Sequence, residues 1–196
     1  MLRFFRSPLG IVVGLFGGLI LVVVVFAAAL SALVLTGGPG PCTPGGGVIE
    51  ITDANAQSFQ QKWDSLDAAQ RAGAQASITV NESEATSRAN REIRDNGAKV
   101  SDVRVCIHNG YGEVTGSVDA FLGSGNFKLR GAVRFDGAHP VLDFQDAEIG
   151  NLPGFVLAPF RSAAENALQD ELDKVTVKHT YNVTLSEGQA TIQEQP

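Results

Sequence analysis

Charge is missing from the opening stretch of this chain. After Arg3 and Arg6 no Asp, Glu, Lys or Arg occurs before Glu50, and the next basic residue is Lys62. Metal and catalytic signatures are missing too. The three histidines, His108, His139 and His179, have no second histidine or cysteine at metal-ligand spacing. There is no G-x-S-x-G nucleophile turn and no phosphate-binding G-x-x-x-x-G-K-[ST] loop. No set of residues marks a place for a reaction, so the sequence reads as non-enzymatic, with no cofactor. Carboxylate pairs such as Asp143 and Asp146 read as solvated faces. Basic surplus is also lacking: 15 Lys and Arg stand against 21 Asp and Glu. Without Arg3 and Arg6 the remainder carries about −8 against −6 for the whole chain, which excludes nucleic acid as a partner. It also argues against a broad electrostatic patch for anionic lipid.

What fills the uncharged stretch is apolar. Residues 9–36 are long enough to cross a ~30 Å hydrocarbon core as a tilted helix. The only basic residues near it precede it, so residues 1–8 are expected in the cytoplasm and the rest outside. A cleaved signal peptide is the competing reading, but its apolar run would be shorter. Gly10, Gly14 and Gly18 fall four apart within the span, a small-residue face that could pair two helices into a homodimer. Glycine is common in membrane helices, and that plainer reading is preferred.

Residues 37–47, GGPGPCTPGGG, form a Gly/Pro linker unsuited to helix or strand. The two cysteines, Cys42 in this linker and Cys106, allow one intramolecular pairing. On the outer side of a membrane such a bridge persists; the alternative is two free thiols in a reducing setting.

Residues 48–196 are long enough for one core. Asp53 is the expected N-cap of a helix whose stripe is Phe59, Trp63 and Leu66, continued by Ala69 and Ala72 or Gly73. A short strand follows at 77–80. Asn81 with Glu84 resembles a capping box opening a helix over 82–96, with Ala85, Ala89 and Ile93 inward and Gly97 at its end. From Val100 the period becomes two. Val103, Val105 and Ile107 alternate with polar residues, and Cys106 falls on the polar side. Asn109–Gly110, the 123–125 Gly-Ser-Gly and Asp136–Gly137 are the expected turns of a four-stranded antiparallel meander. A helix is expected over 155–174, burying Val156, Phe160 and Leu168, and a hairpin over 175–192 closes the chain. The fold class is α+β: after the transmembrane helix, one curved antiparallel β-sheet packed against helices.

The segments ITVNESEATSRANREI and VRFDGAHPVLDFQDAEIGNLPG carry a resemblance. A helix start at Thr79 to Ala85, the strands holding Gly116-Ser117-Val118 and Gly131-Ala132-Val133, and the break from Glu148 to Pro153 resemble the YpmS and LmeA-like membrane-anchored extracytoplasmic proteins. The likeness spans about residues 50–195. It implies a sheet wrapped on a long helix, similar to tubular lipid-binding domains, and a part in binding or handling phospholipid at the cell envelope. The strand set here is shorter than in a full tubular domain. The apolar side of the sheet supplies the expected lipid-contacting residues: Phe127, Leu129, Val133 and Phe135, with Val156, Phe160 and Leu168 on the facing helix. The same apolar side also reads as an ordinary closed core, and periodicity does not separate the two. A structural module that presents a surface to other envelope proteins is the other functional reading.

Overall fold

The computed structural model describes residues 37–97, 99–120, 123–136, 139–151 and 181–194. The expected span at 9–36, with Gly10, Gly14 and Gly18, lies outside them. So does the expected helix at 155–174, with Val156, Phe160 and Leu168. No helix among the described residues is long and apolar enough to cross a membrane. The architecture is α+β with antiparallel sheets.

Helix α1 runs Asp53–Arg71. The expected cap at Asp53 moves back one residue. The Thr52 hydroxyl accepts the Asn55 N–H at 3.1 Å, while the Asp53 carboxylate pairs with Arg91 at 3.1 Å instead. A hydroxyl of the preceding residue can reach the free amides of the first turn, and Asp53 is then released for the ion pair. Phe59, Trp63 and Leu66 are buried as expected. The stripe stops at Ala69, because the helix ends at Arg71 and Ala72 and Gly73 turn into solvent.

Strand β1, Ser77–Asn81, leads directly into helix α2, Glu82–Asn96. The capping box forms in both directions: the Asn81 side chain accepts the Glu84 N–H at 2.9 Å, and Glu84 accepts the Asn81 N–H at 3.0 Å. Gly97 closes α2 at φ 62°, a left-handed conformation that glycine adopts without a Cβ clash. Ala85, Ala89 and Ile93 are buried as the periodicity requires.

Strands β2 Val100–His108, β3 Tyr111–Ala120, β4 Gly123–Asp136 and β5 His139–Ile149 form the expected meander, in sequence order. One expected turn is displaced. Gly123, Ser124 and Gly125 lie within β4, paired with Ala120, Asp119 and Val118. Small residues tolerate a turn but do not compel one, and strand pairing on the β3 side extends over all three.

The closing hairpin, β6 Tyr181–Ser186 and β7 Gln189–Glu194, does not extend the meander. β7 pairs with β1, giving a separate three-stranded sheet of order β1-β7-β6. The single curved sheet expected from the sequence is therefore two sheets. Alternation identifies strands and their faces, but it does not say which strand edges meet. Side chains of both sheets and both helices share one core, including Leu66, Val80, Ile93, Val103, Val105, Phe127 and Ile192. Burial of this kind stabilises by about 25 cal/mol per Å² of apolar surface.

Candidate functional site

Segment 37–47 carries no helix or strand, as its composition predicts, yet it does not hang free. It lies as a strap on the outer face of the four-stranded sheet. At its start the Gly37 carbonyl accepts the Asn126 N–H at 2.8 Å. In its middle the Cys42–Cys106 disulfide joins it to β2, and both cysteines are buried. The Cys42 N–H donates to the Thr115 hydroxyl at 3.3 Å. At its far end Gly45 and Gly46 donate their N–H groups to the Glu82 carboxylate, each at 2.9 Å. Glu82 is buried and also accepts the Ile107 N–H at 2.7 Å. One carboxylate thus holds the strap, α2 and β2 together through three backbone donors.

The sequence gives little sign of this role. Glu82 reads as an ordinary acid in the first turn of a helix, and its partners are 25 and more residues away in sequence. The signal that exists is the run of glycines in 37–47. Gly46 lies so close to Gly188 that a Cβ on Gly188 would stand 2.4 Å from its Cα. Only bare backbone fits there.

Between the strap and the sheet, β2 is irregular. Ser101 pairs with Ser117 and Arg104 with Thr115, so Asp102 and Val103 together oppose Gly116. Val103 turns inward and is buried, while Asp102 is exposed at φ 53°. A positive φ is uncommon outside glycine and is a feature from which function can be sought. Gly116 is compelled: a Cβ there would meet the Phe127 ring at 2.8 Å. The bulge and the strap enclose an open cleft of about 260 Å³. Its lining joins polar residues, Asp102, Arg104, Ser117 and Asn126, with apolar ones, Pro39, Pro41 and Ile51. Ser117 donates to the Asn126 side-chain oxygen at 2.9 Å. Among the described residues the exposed Arg104 side chain has no carboxylate partner.

Further along the same face, Arg130 donates through Nε to Glu113 at 2.9 Å and stacks its guanidinium 4.9 Å from the Tyr111 ring centroid. The Glu113 hydrogen bond, outweighing burial, raises the Arg130 pKa and keeps it charged. His108 lies beside Tyr111 and pairs through Nδ1 with Glu187 at 2.8 Å, tying the β2–β3 turn to the β6–β7 turn. These groups satisfy one another.

On the inner face Phe127 and Leu129 are core residues, 1% and 4% exposed. Val133 lies on the same strand and is half-buried. Phe135 sits at the next same-face strand position, in register with Pro140. The structure thus places four of the seven expected lipid-contacting residues along one strand; the other three, Val156, Phe160 and Leu168, fall outside the described residues. Comparison of the chain with protein-family models and with curated proteins finds no match.

Proposed function

We propose that this chain is a membrane-anchored extracytoplasmic module that binds or handles phospholipid at the cell envelope, without enzymatic chemistry. The observation that carries the reading is the β4–β5 ladder. Its apolar register runs from Phe127 opposite Ile149, through Leu129 opposite Ala147 and Gly131 opposite Phe144, to Val133 opposite Leu142. The first pair is fully buried, whereas Val133 and Phe144 are half-buried. Among the described strands, β4 beyond Gly131 pairs only with β5, because β3 pairs with it no further than Gly112. An apolar strand face that passes from buried to half-buried along its length suits an acyl chain.

Two further features support the reading. The disulfide fits an oxidising compartment outside the cytoplasm. The strap docks from Gly37 onward, so a span ending at residue 36 would hold the sheet at the bilayer with no slack between them. The likeness to YpmS and LmeA-like proteins points the same way.

Residues 37–196, secreted into an oxidising periplasm and purified without detergent, are the material for the test. Native and denatured mass spectra are expected to differ by a co-purifying phospholipid, and Val133→Asp should reduce its occupancy. A lipid-free native mass for the folded, oxidised protein would overturn the reading and favour a closed core that presents a surface to other proteins.

A further inference from the structure

We infer that the cleft beneath the strap takes a phosphoethanolamine-type zwitterion, the headgroup of a neutral phospholipid. The inference rests on the membrane-anchored reading above and names the headgroup of a bilayer lipid beside the strap, a site separate from the inner-face register that ends at Val133. Asp102 lies in the β2 bulge and Arg104 directly after it, and both line the cleft. A guanidinium offers a planar set of donors matched to phosphate oxygens, and a carboxylate matches an ammonium. Ser117 and Asn126, bonded to each other, add neutral hydrogen-bonding groups to the lining. One cation and one anion in one cleft select a ligand that carries both.

Charge excludes the simpler ligands. With 21 acidic against 15 basic residues, the chain disfavours a purely anionic headgroup, and more so once Arg3 and Arg6 are set aside with the anchor. A lone amine would leave Arg104 unmatched. Size excludes the rest of the lipid: about 260 Å³ is below the range of roughly 300–1,000 Å³ typical of larger ligands. The apolar side fits what lies next to a headgroup. Ile51 is 46% exposed at the cleft and Val48, just before it in the chain, is 88% exposed.

Two features define the walls of the cleft. Asp102 keeps a conformation uncommon for a residue with a Cβ. The strap that forms the opposite wall is pinned at Cys42 and cannot collapse onto the sheet independently.

The test uses the full chain in non-ionic detergent micelles, titrated calorimetrically with phosphoethanolamine, inorganic phosphate and ethanolamine. Saturable binding of phosphoethanolamine is expected, with each fragment at least about tenfold weaker. Arg104→Gln and Asp102→Asn should each weaken binding by about tenfold or more, with the disulfide and melting temperature unchanged. Asn tolerates the left-handed conformation, so the second variant keeps the bulge. No binding of phosphoethanolamine, equal binding of phosphate alone, or two variants that bind as the parent chain does would each overturn the inference. Nanodiscs of phosphatidylcholine, with and without phosphatidylethanolamine, separate the sources. Competition by the phosphatidylethanolamine discs assigns the zwitterion to a lipid headgroup. Variant-sensitive binding of free phosphoethanolamine without that competition supports the cleft as a zwitterion site and overturns its assignment to a headgroup. Phospholipid that co-purifies with a chain blind to phosphoethanolamine would leave the lipid reading standing and remove this site.

Discussion

The two faces of the four-stranded sheet are closed by different physics. Val103, Val105, Ile107, Val114 and Val118 face inward and are covered by apolar side chains. Cys106, Glu113 and Thr115 face outward and are just as buried. Cys106 and Thr115 are bonded to a strap of glycine and proline, held by one disulfide and by hydrogen bonds to Glu82 and Thr115, while Arg130 pairs with Glu113. The inner closure is distributed over many contacts, so it resists any one loss in part. The outer closure depends on a few bonds, so a single substitution or reduction can detach the strap as a whole, although the energy lost is smaller than for a large inner side chain.

The largest effect should come from the inner face. Phe127→Ala removes a ring that is 1% exposed and leaves a cavity under Gly116. It should cost about 3–5 kcal/mol in urea unfolding. Glu82→Ala comes next, because it strands the N–H groups of Gly45, Gly46 and Ile107. Each unmet buried donor costs about 1–3 kcal/mol, and water reaching the strap end should hold the total near 3 kcal/mol. Glu82→Gln keeps an acceptor and should lose less in the same titration. Opening the disulfide with Cys42→Ser, or by reduction, should cost about 2–4 kcal/mol. It should also detach the strap while the inner core persists, which intact tryptophan fluorescence from Trp63 would report.

The smallest effect is a pH dependence in α2. Burial raises the Glu84 carboxyl pKa, but hydrogen bonds from Lys62, Ser58 and Asn81 and the Lys62 charge outweigh it, so the net shift is downward. A carboxyl whose pKa is lower in the folded protein stabilises it fully above its unfolded value. That contribution is lost as the pH falls through the folded value. Urea midpoints should therefore drop on acidification below about pH 4.5. In Lys62→Met that drop should shrink.

The sequence made the inner face legible and the outer face opaque, for one reason. Period-two alternation at Val103, Val105 and Ile107, the Asn81–Glu84 box and Gly97 are local signals, and each appears in the structure where it was read. The alternation also puts Cys106 on the side away from that core, where the structure has it. Nothing in its neighbourhood said that this side would be buried too, since its cover comes from a segment 64 residues earlier. The same distance hid the role of Glu82 and the pairing of β1 with β7. Composition did show that 37–47 would avoid helix and strand. It could not tell a free linker from a strap, because glycine and proline suit both. The cleft was equally hidden, as it depends on the bulge at Asp102 and on the docked strap together.

Hydrogen exchange on the full chain in detergent or nanodiscs tests the docked strap most directly. The amides of Cys42, Gly45 and Gly46 should exchange about a hundredfold or more slowly than free chain, and Glu82→Ala or reduction of the disulfide should abolish this protection. Exchange at the free-chain rate in the oxidised parent protein would contradict it: 37–47 would then be a loose tether.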